Sequence, residues 1–288
     1  MSRTLQTLLA LFLSASLVAC GLLKTTYNNA DTLIYWWLDG YVDFTIEQKP
    51  KVQDELLAFQ QWHRKTQLPI YVGLVKQLQE QVKTDVTPAQ LCSNWQIALD
   101  QIPALTNYLE PQVLWVVTQL SDEQIQSIDA KYNKANQEWR KDWQPPALRD
   151  MHRHYVKTVR ERLETLYGSL DEAQVRQLRE SVIQSPFDAT LAYAERQRRQ
   201  RDMVSTLKDI RSKRMDADAA REPLRALLQR NLVSPNAEFR AYSERVRLSS
   251  CTMFAKMHNG MTSEQRAHAL NKLKDYERDF VTLMQRNK

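Results

Sequence analysis

Asp150 and His154 stand four residues apart in a stretch with helical periodicity, a spacing that puts a carboxylate and an imidazole on one face of a helix. Two such groups make only part of a metal site, because a zinc-like ion takes three or four protein ligands. His152 is two residues from His154 and so falls on a different face, and no further ligand motif completes the set. Solvated surface residues are the simpler reading, and an unusual hydrolase or metal-binding protein is the alternative that this pair keeps open. Nucleophilic chemistry finds as little support: there is no nucleophile elbow, no zincin motif and no catalytic cysteine pattern. The five glycines, Gly21, Gly40, Gly73, Gly168 and Gly260, are too scattered for a phosphate-cradling loop or a dinucleotide fingerprint. The expectation is a non-enzymatic protein with no catalytic residues, no cofactor and no bound metal, although folding can still gather carboxylates that the sequence keeps apart.

Charge offers a second kind of chemistry. Arg149, Arg153, Lys157, Arg160 and Arg162 form one basic stretch, and Arg196, Arg198, Arg199 and Arg201 a second. Together they could recognise anionic lipid or glycan, but Asp150, Glu161, Asp202 and Asp209 dilute them. With a net charge of +6, cations that merely solvate the outer helix faces are the plainer account. Of three cysteines, Cys92 and Cys251 are free to pair in an oxidising compartment, the alternative being two buried thiols that act as small apolar side chains.

The elements that must position these residues are helices. Leu, Gln, Arg, Glu and Ala dominate, and runs of β-branched residues bounded by turns are missing. The chain therefore reads as all-α: a single elongated domain of about eight to ten amphipathic helices over residues 27–288. The clearest periodic signal is Leu91, Trp95, Ala98, Ile102, Leu105 and Leu109, which predicts a packing seam that Pro103 and Pro111 kink or divide. A tetrad recurs at predicted helix starts: an apolar residue, Thr or Ser, two variable residues, then Gln. It is seen at Phe44 to Gln48, Val86 to Gln90, Leu120 to Gln124 and Met261 to Gln265, with a degenerate copy from Leu170 to Gln174 that carries Asp171. This is the pattern of a capping box, in which hydroxyl and glutamine each satisfy one orphan backbone N–H. Near the N-terminus, Leu33, Trp36, Trp37 and Tyr41 fall at helical spacing on a predicted first helix that Asn28 or Asn29 would cap. Three uses of that aromatic face stay open: packing into the core, docking at lipid headgroups, or holding a ligand.

The first twenty residues have the three regions of a secretory signal, with Arg3 before an apolar stretch from Leu8 to Leu13. Polar Gln6, Ser14 and Ser16 leave that stretch too short to span a bilayer. Leu17-Val18-Ala19-Cys20 resembles the lipobox of bacterial lipoproteins. The resemblance implies a signal peptide of residues 1–19, acylation of Cys20 with palmitate-type chains, and a lipid-anchored tether over residues 20–26. Gly21, in the place where an Asp would favour the inner membrane, implies the periplasmic face of the outer membrane. In that setting the partners are the membrane through the lipid on Cys20, and an envelope protein, peptidoglycan or anionic lipid, with no nucleic acid.

Two further resemblances rest on motifs. Tyr27-Asn28-Asn29-Ala30-Asp31, followed by Trp36, Asp39, Tyr41 and Asp43, is similar to the opening of a proteobacterial lipoprotein family known only as a domain of unknown function. That likeness implies compartment and architecture and lends no catalytic residue. The tetrads resemble the LTxxQ motif of Spy-type periplasmic chaperones, which implies a holdase as a second function, but the first residue is Leu in only one of the four clean copies.

Overall fold

A computed structural model describes residues 23–285, and the structural statements below refer to them. Cys20 and the 1–19 signal segment lie outside the described residues. The described chain is an elongated all-α domain of twelve helices without a strand: α1 Ala30–Val42, α2 Gln48–Thr66, α3 Leu68–Gln81, α4 Pro88–Leu99, α5 Ile102–Gln119, α6 Asp122–Trp143, α7 Leu148–Tyr167, α8 Glu172–Ile183, α9 Ala189–Ser212, α10 Ala217–Leu232, α11 Ala237–Asn259 and α12 Ser263–Gln285. A helical turn over residues 23–28 leads into α1 through Asn29, so the segment expected to be tether as far as residue 26 is helical from 23 onward. Lys24 is bound there to Asp279 of α12 at 3.0 Å. Asn29 occupies the N-cap position of α1, but its side chain makes no cap bond and donates instead to the carbonyl of Thr25 at 2.7 Å.

The helix count exceeds the expected eight to ten because two breaks carry weak sequence signals. One separates α4 from α5 at Asp100 and Gln101, with Pro103 in the first turn of α5, where its missing N–H costs nothing. The other follows α9: Arg214 takes a left-handed φ of 50°, and the Asp216 carboxylate accepts from Ala219 N at 2.9 Å to start α10. The seam expected from Leu91 to Leu109 does not form. Trp95 in its middle is 56% exposed, and α4 buries Cys92 and Asn94 instead. The physical reason is cross-linking and polar pairing: Cys92 is joined to Cys251 of α11, and Asn94 Oδ1 accepts from Gln77 of α3 at 2.8 Å. Those two bonds fix the rotation of α4 and leave Trp95 and Ala98 of the row on the exposed side, with Leu91 half-buried.

Three clusters of buried apolar side chains hold the helices together. The largest joins α3, α7, α8, α11 and α12 through Val75, Leu163, Leu178, Met257 and Leu273. A second joins α5, α6, α9 and α10 through Leu114, Ile125, Ile210 and Ala220. The smallest holds α1 to α2 through Tyr35, Phe44 and Val52, with Trp115 of α5 packed against it. Val42 and Val116 touch both of the last two clusters and so connect them.

Candidate functional site

Every tetrad forms its capping box. Thr45 N donates to Gln48 Oε1 at 3.0 Å while Gln48 N donates to Thr45 Oγ1 at 3.3 Å, and the same reciprocal pair recurs at Thr87 and Gln90, Ser121 and Gln124, Asp171 and Gln174, and Thr262 and Gln265. The apolar residue before each cap, Phe44, Val86, Leu120, Leu170 or Met261, is buried, so every helix start is also nailed to a core.

Four of the five boxes then meet in pairs. Gln124 Nε2 donates to Gln48 Oε1 at 2.7 Å and to the carbonyl of Asp43 at 3.1 Å, while Gln48 Nε2 donates to the carbonyl of Gln119 at 3.2 Å. Gln174 and Gln265 exchange amide bonds at 2.7 and 2.9 Å, and their Nε2 atoms also reach the carbonyls of Gly260 at 3.0 Å and Ser169 at 2.9 Å. In both pairs each glutamine reaches the carbonyl two residues before its partner's cap, so one geometry is built twice. Gln48, Gln124 and Gln174 are buried by this, whereas Gln90 stays exposed and only caps. These amides are consumed by structure, and their surfaces are not offered to a ligand.

Two tyrosine–histidine pairs were not legible in the sequence, because their members lie 36 and 91 residues apart. Tyr27 Oη meets His63 Nδ1 at 2.9 Å; beside it Gln60 bonds to the Tyr27 carbonyl, and Arg64 Nη2 donates to Asn28 Oδ1 at 3.1 Å. The Tyr27-Asn28 part of the recognised motif is thus a buried polar lock onto α2. Tyr167 Oη meets His258 Nδ1 at 2.8 Å, and His258 Nε2 meets the carbonyl of Thr84 at 2.8 Å. A carbonyl only accepts, so Nε2 carries the proton, Nδ1 is the acceptor and the tyrosine donates. Burial pushes the Tyr27 and Tyr167 hydroxyls up to about 12. It also holds both histidines below their ordinary value.

The lowered histidines have a pH consequence. As pH falls through about 6.5, the unfolded chain takes up protons at His63 and His258 before the folded chain does, so their contribution is complete above that value and is lost on acidification until the folded rings protonate. Urea midpoints at pH 7.5 and 5.5 are expected to show a loss of stability at the lower pH, and H258Q is expected to lose less over the same interval. An unchanged interval in H258Q would assign the loss to other groups.

The residues singled out by type and spacing do not converge. His154 Nδ1 lies 3.9 Å from Asp142 and its ring packs edge-on to Trp143, while Asp150 pairs with Arg153 at 3.2 Å. Among the described residues no group of three or more His, Cys, Asp or Glu is placed to hold a metal ion. The two basic stretches sit on α7 and α9, both packed on α6, and acidic neighbours neutralise much of them. Lys157 faces Glu161 at 3.9 Å and Arg160 bonds Glu164 at 2.8 Å. Arg198 and Arg199 both bond Glu195 at 2.9 Å, and Arg196 donates to Asn136 at 2.7 Å, leaving Arg201 exposed on α9. Burial raises the Glu195 carboxyl, but its bonds to Arg198 and Arg199 outweigh this and hold it below the usual carboxylate range. A shallow depression of about 330 Å³ lies over Arg196, Arg199 and Phe239. Cys92 and Cys251 form a disulfide with Cα atoms 5.6 Å apart. On α1, Trp36 and Trp37 are 64% and 63% exposed, while Tyr41 is half-buried against Trp37 and Tyr132. Packing into the core is therefore not the use of the two tryptophans.

Residues 40–240, well over half of the chain, match a family of unknown function, DUF6279. The chain belongs to this DUF6279 family. The match begins at Gly40, after Tyr27 to Asp39, so it spans the helical body from the end of α1 to the start of α11. No curated protein and no solved structure matches the chain. As a DUF6279 member it is an all-α protein with no evident catalytic or metal-binding architecture among its described residues.

Proposed function

We propose that this chain is a lipoprotein of the bacterial cell envelope, acylated on Cys20, that works by binding or scaffolding at the periplasmic face of the outer membrane. The observation that carries this reading is the pairing of two independent signals: Leu17-Val18-Ala19-Cys20 at the N-terminus, and a disulfide between Cys92 and Cys251, a bond that persists in oxidising compartments. No described helix is long and apolar enough to cross a membrane, so the lipid would be the attachment that the reading requires. The partner is an envelope protein, peptidoglycan or anionic lipid.

Palmitate incorporation that disappears in C20S, together with co-purification of a specific envelope component after crosslinking in cells, is the expected result. Labelling that survives C20S, or turnover of a cell-wall or lipid substrate by a body that captures no partner, would overturn it. The alternative of a holdase chaperone has less to stand on, because the glutamines of four tetrads are paired with one another and the fifth only caps. Suppression of client aggregation by the purified protein would revive it. The alternative of a hydrolase or metal-binding protein rested on Asp150 and His154, whose neighbours here are Arg153, Asp142 and Trp143.

A further inference from the structure

The geometry points to the outward face of α1 as a second membrane contact, a strip that lies in the lipid headgroup layer beside the acyl anchor. This rests on the acylation of Cys20 proposed above. Leu33, Trp36, Trp37 and Gly40 recur at helical spacing and form one exposed row, with Leu33 51% and the tryptophans 64% and 63% accessible. Two adjacent tryptophans left in water are costly, and contiguous exposed apolar surface marks an interaction site. The row contains no ionisable side chain. The two carboxylates within α1 are turned aside: Asp31 is half-buried, and Asp39 accepts from Phe44 N at 2.9 Å and faces Lys49 at 3.8 Å. The opposite side of α1 is fixed to the body by Tyr35, which is 3% exposed, so the row is held in place rather than free to fold inward.

Chain length selects the occupant. Two residues, Gly21 and Leu22, lie between Cys20 and Leu23, so the three residue steps reach at most roughly 11 Å. From residue 23 the chain is helical to residue 42 apart from the turn at Asn29, which puts Trp36 about 20 Å further on at the α-helical rise. An acylated Cys20 therefore holds the row within about 30 Å of the bilayer, and a tethered surface needs little affinity of its own to stay engaged. Trp is also the side chain that the membrane–water boundary favours, with an apolar body and one N–H for the headgroups.

The test uses the mature acylated protein in phospholipid vesicles whose acyl chains carry bromine near the headgroup. Of the seven tryptophans, Trp36 and Trp37 are expected to be quenched; the quenching disappears in W36F/W37F and persists in W95F, which alters an exposed tryptophan on α4. A benzophenone placed at position 33 is expected to give phospholipid adducts. Quenching that is absent, or equal in W36F/W37F, overturns the inference, as do adducts with a second copy of the chain. Intact mass of the same sample reads acylation separately. Acylated protein without quenching rejects this contact alone, whereas quenching dependent on Trp36 and Trp37 in protein without acyl groups supports the contact and rejects the anchor.

Discussion

Removing both halves of the disulfide, in C92A/C251A, is expected to lower the unfolding free energy by up to about 5 kcal/mol, because the bond closes a loop across 159 residues and the chain-entropy benefit grows with loop length. The folded state changes little in this comparison. Both cysteines are buried, and alanine removes only a sulfur from each site. The effect therefore belongs mainly to the denatured chain, which without the link gains conformations and exposes more surface. Urea titration of the double variant should show a lower midpoint together with a steeper dependence on denaturant. Wild-type protein titrated with and without a reductant should reproduce the difference. A loss below about 1 kcal/mol would mean that the denatured chain already keeps α4 near α11, so the link has little entropy to remove.

The second large effect is expected at the paired glutamines. Q124A removes one capping-box bond, one bond to its partner glutamine and one to a carbonyl, and Q174A removes one capping-box bond, both amide bonds exchanged with Gln265 and one to a carbonyl; each leaves partner groups without their bonds. A cap is worth about 1 kcal/mol and an abandoned buried polar group about 1–3, so a loss of roughly 2–4 kcal/mol is expected for each. In a chain of this size that lowers Tm by roughly 5–15 °C. Q90A is the matched control. It removes the same box where the glutamine is exposed and meets no partner, and its cost should stay near 1 kcal/mol. The double variant Q174A/Q265A should cost less than the sum of its singles, since the two share their amide bonds. Additive losses would show that capping, and not the pairing, carries the energy.

The same glutamines show where sequence reasoning stops. Each capping box was legible because its two halves lie three residues apart, within reach of local hydrogen-bonding rules. The pairing of box with box was not, since Gln48 finds Gln124 and Gln174 finds Gln265 only after intervening helices have turned the chain back. The Tyr27–His63 and Tyr167–His258 contacts were hidden for the same reason. The seam from Leu91 to Leu109 failed differently. Its period was sound, but a disulfide at Cys92 and a buried Asn94 set the rotation of α4 against it, and apolar spacing alone does not weigh those bonds. The aromatic row of α1 was visible as a row; whether it faced inward depended on Tyr35, one position off that row, taking the place in the core. The basic stretches were visible as charge, while Glu195, which bonds both Arg198 and Arg199, sits on the same helix at i,i+3 and i,i+4 and could have been read as their partner.

The bond between Cys92 and Cys251 also bears on what a protease can do to this molecule. The two cysteines bracket everything from the first half of α4 to the middle of α11, including the exposed connection before α10. A single cut anywhere in that span yields two polypeptides but still one covalent particle, and the N-terminal piece keeps its hold on α11 and on the rest of the chain beyond it. Such a nick would leave the two pieces joined on a non-reducing gel and would separate them only once a thiol reached the disulfide between two buried cysteines.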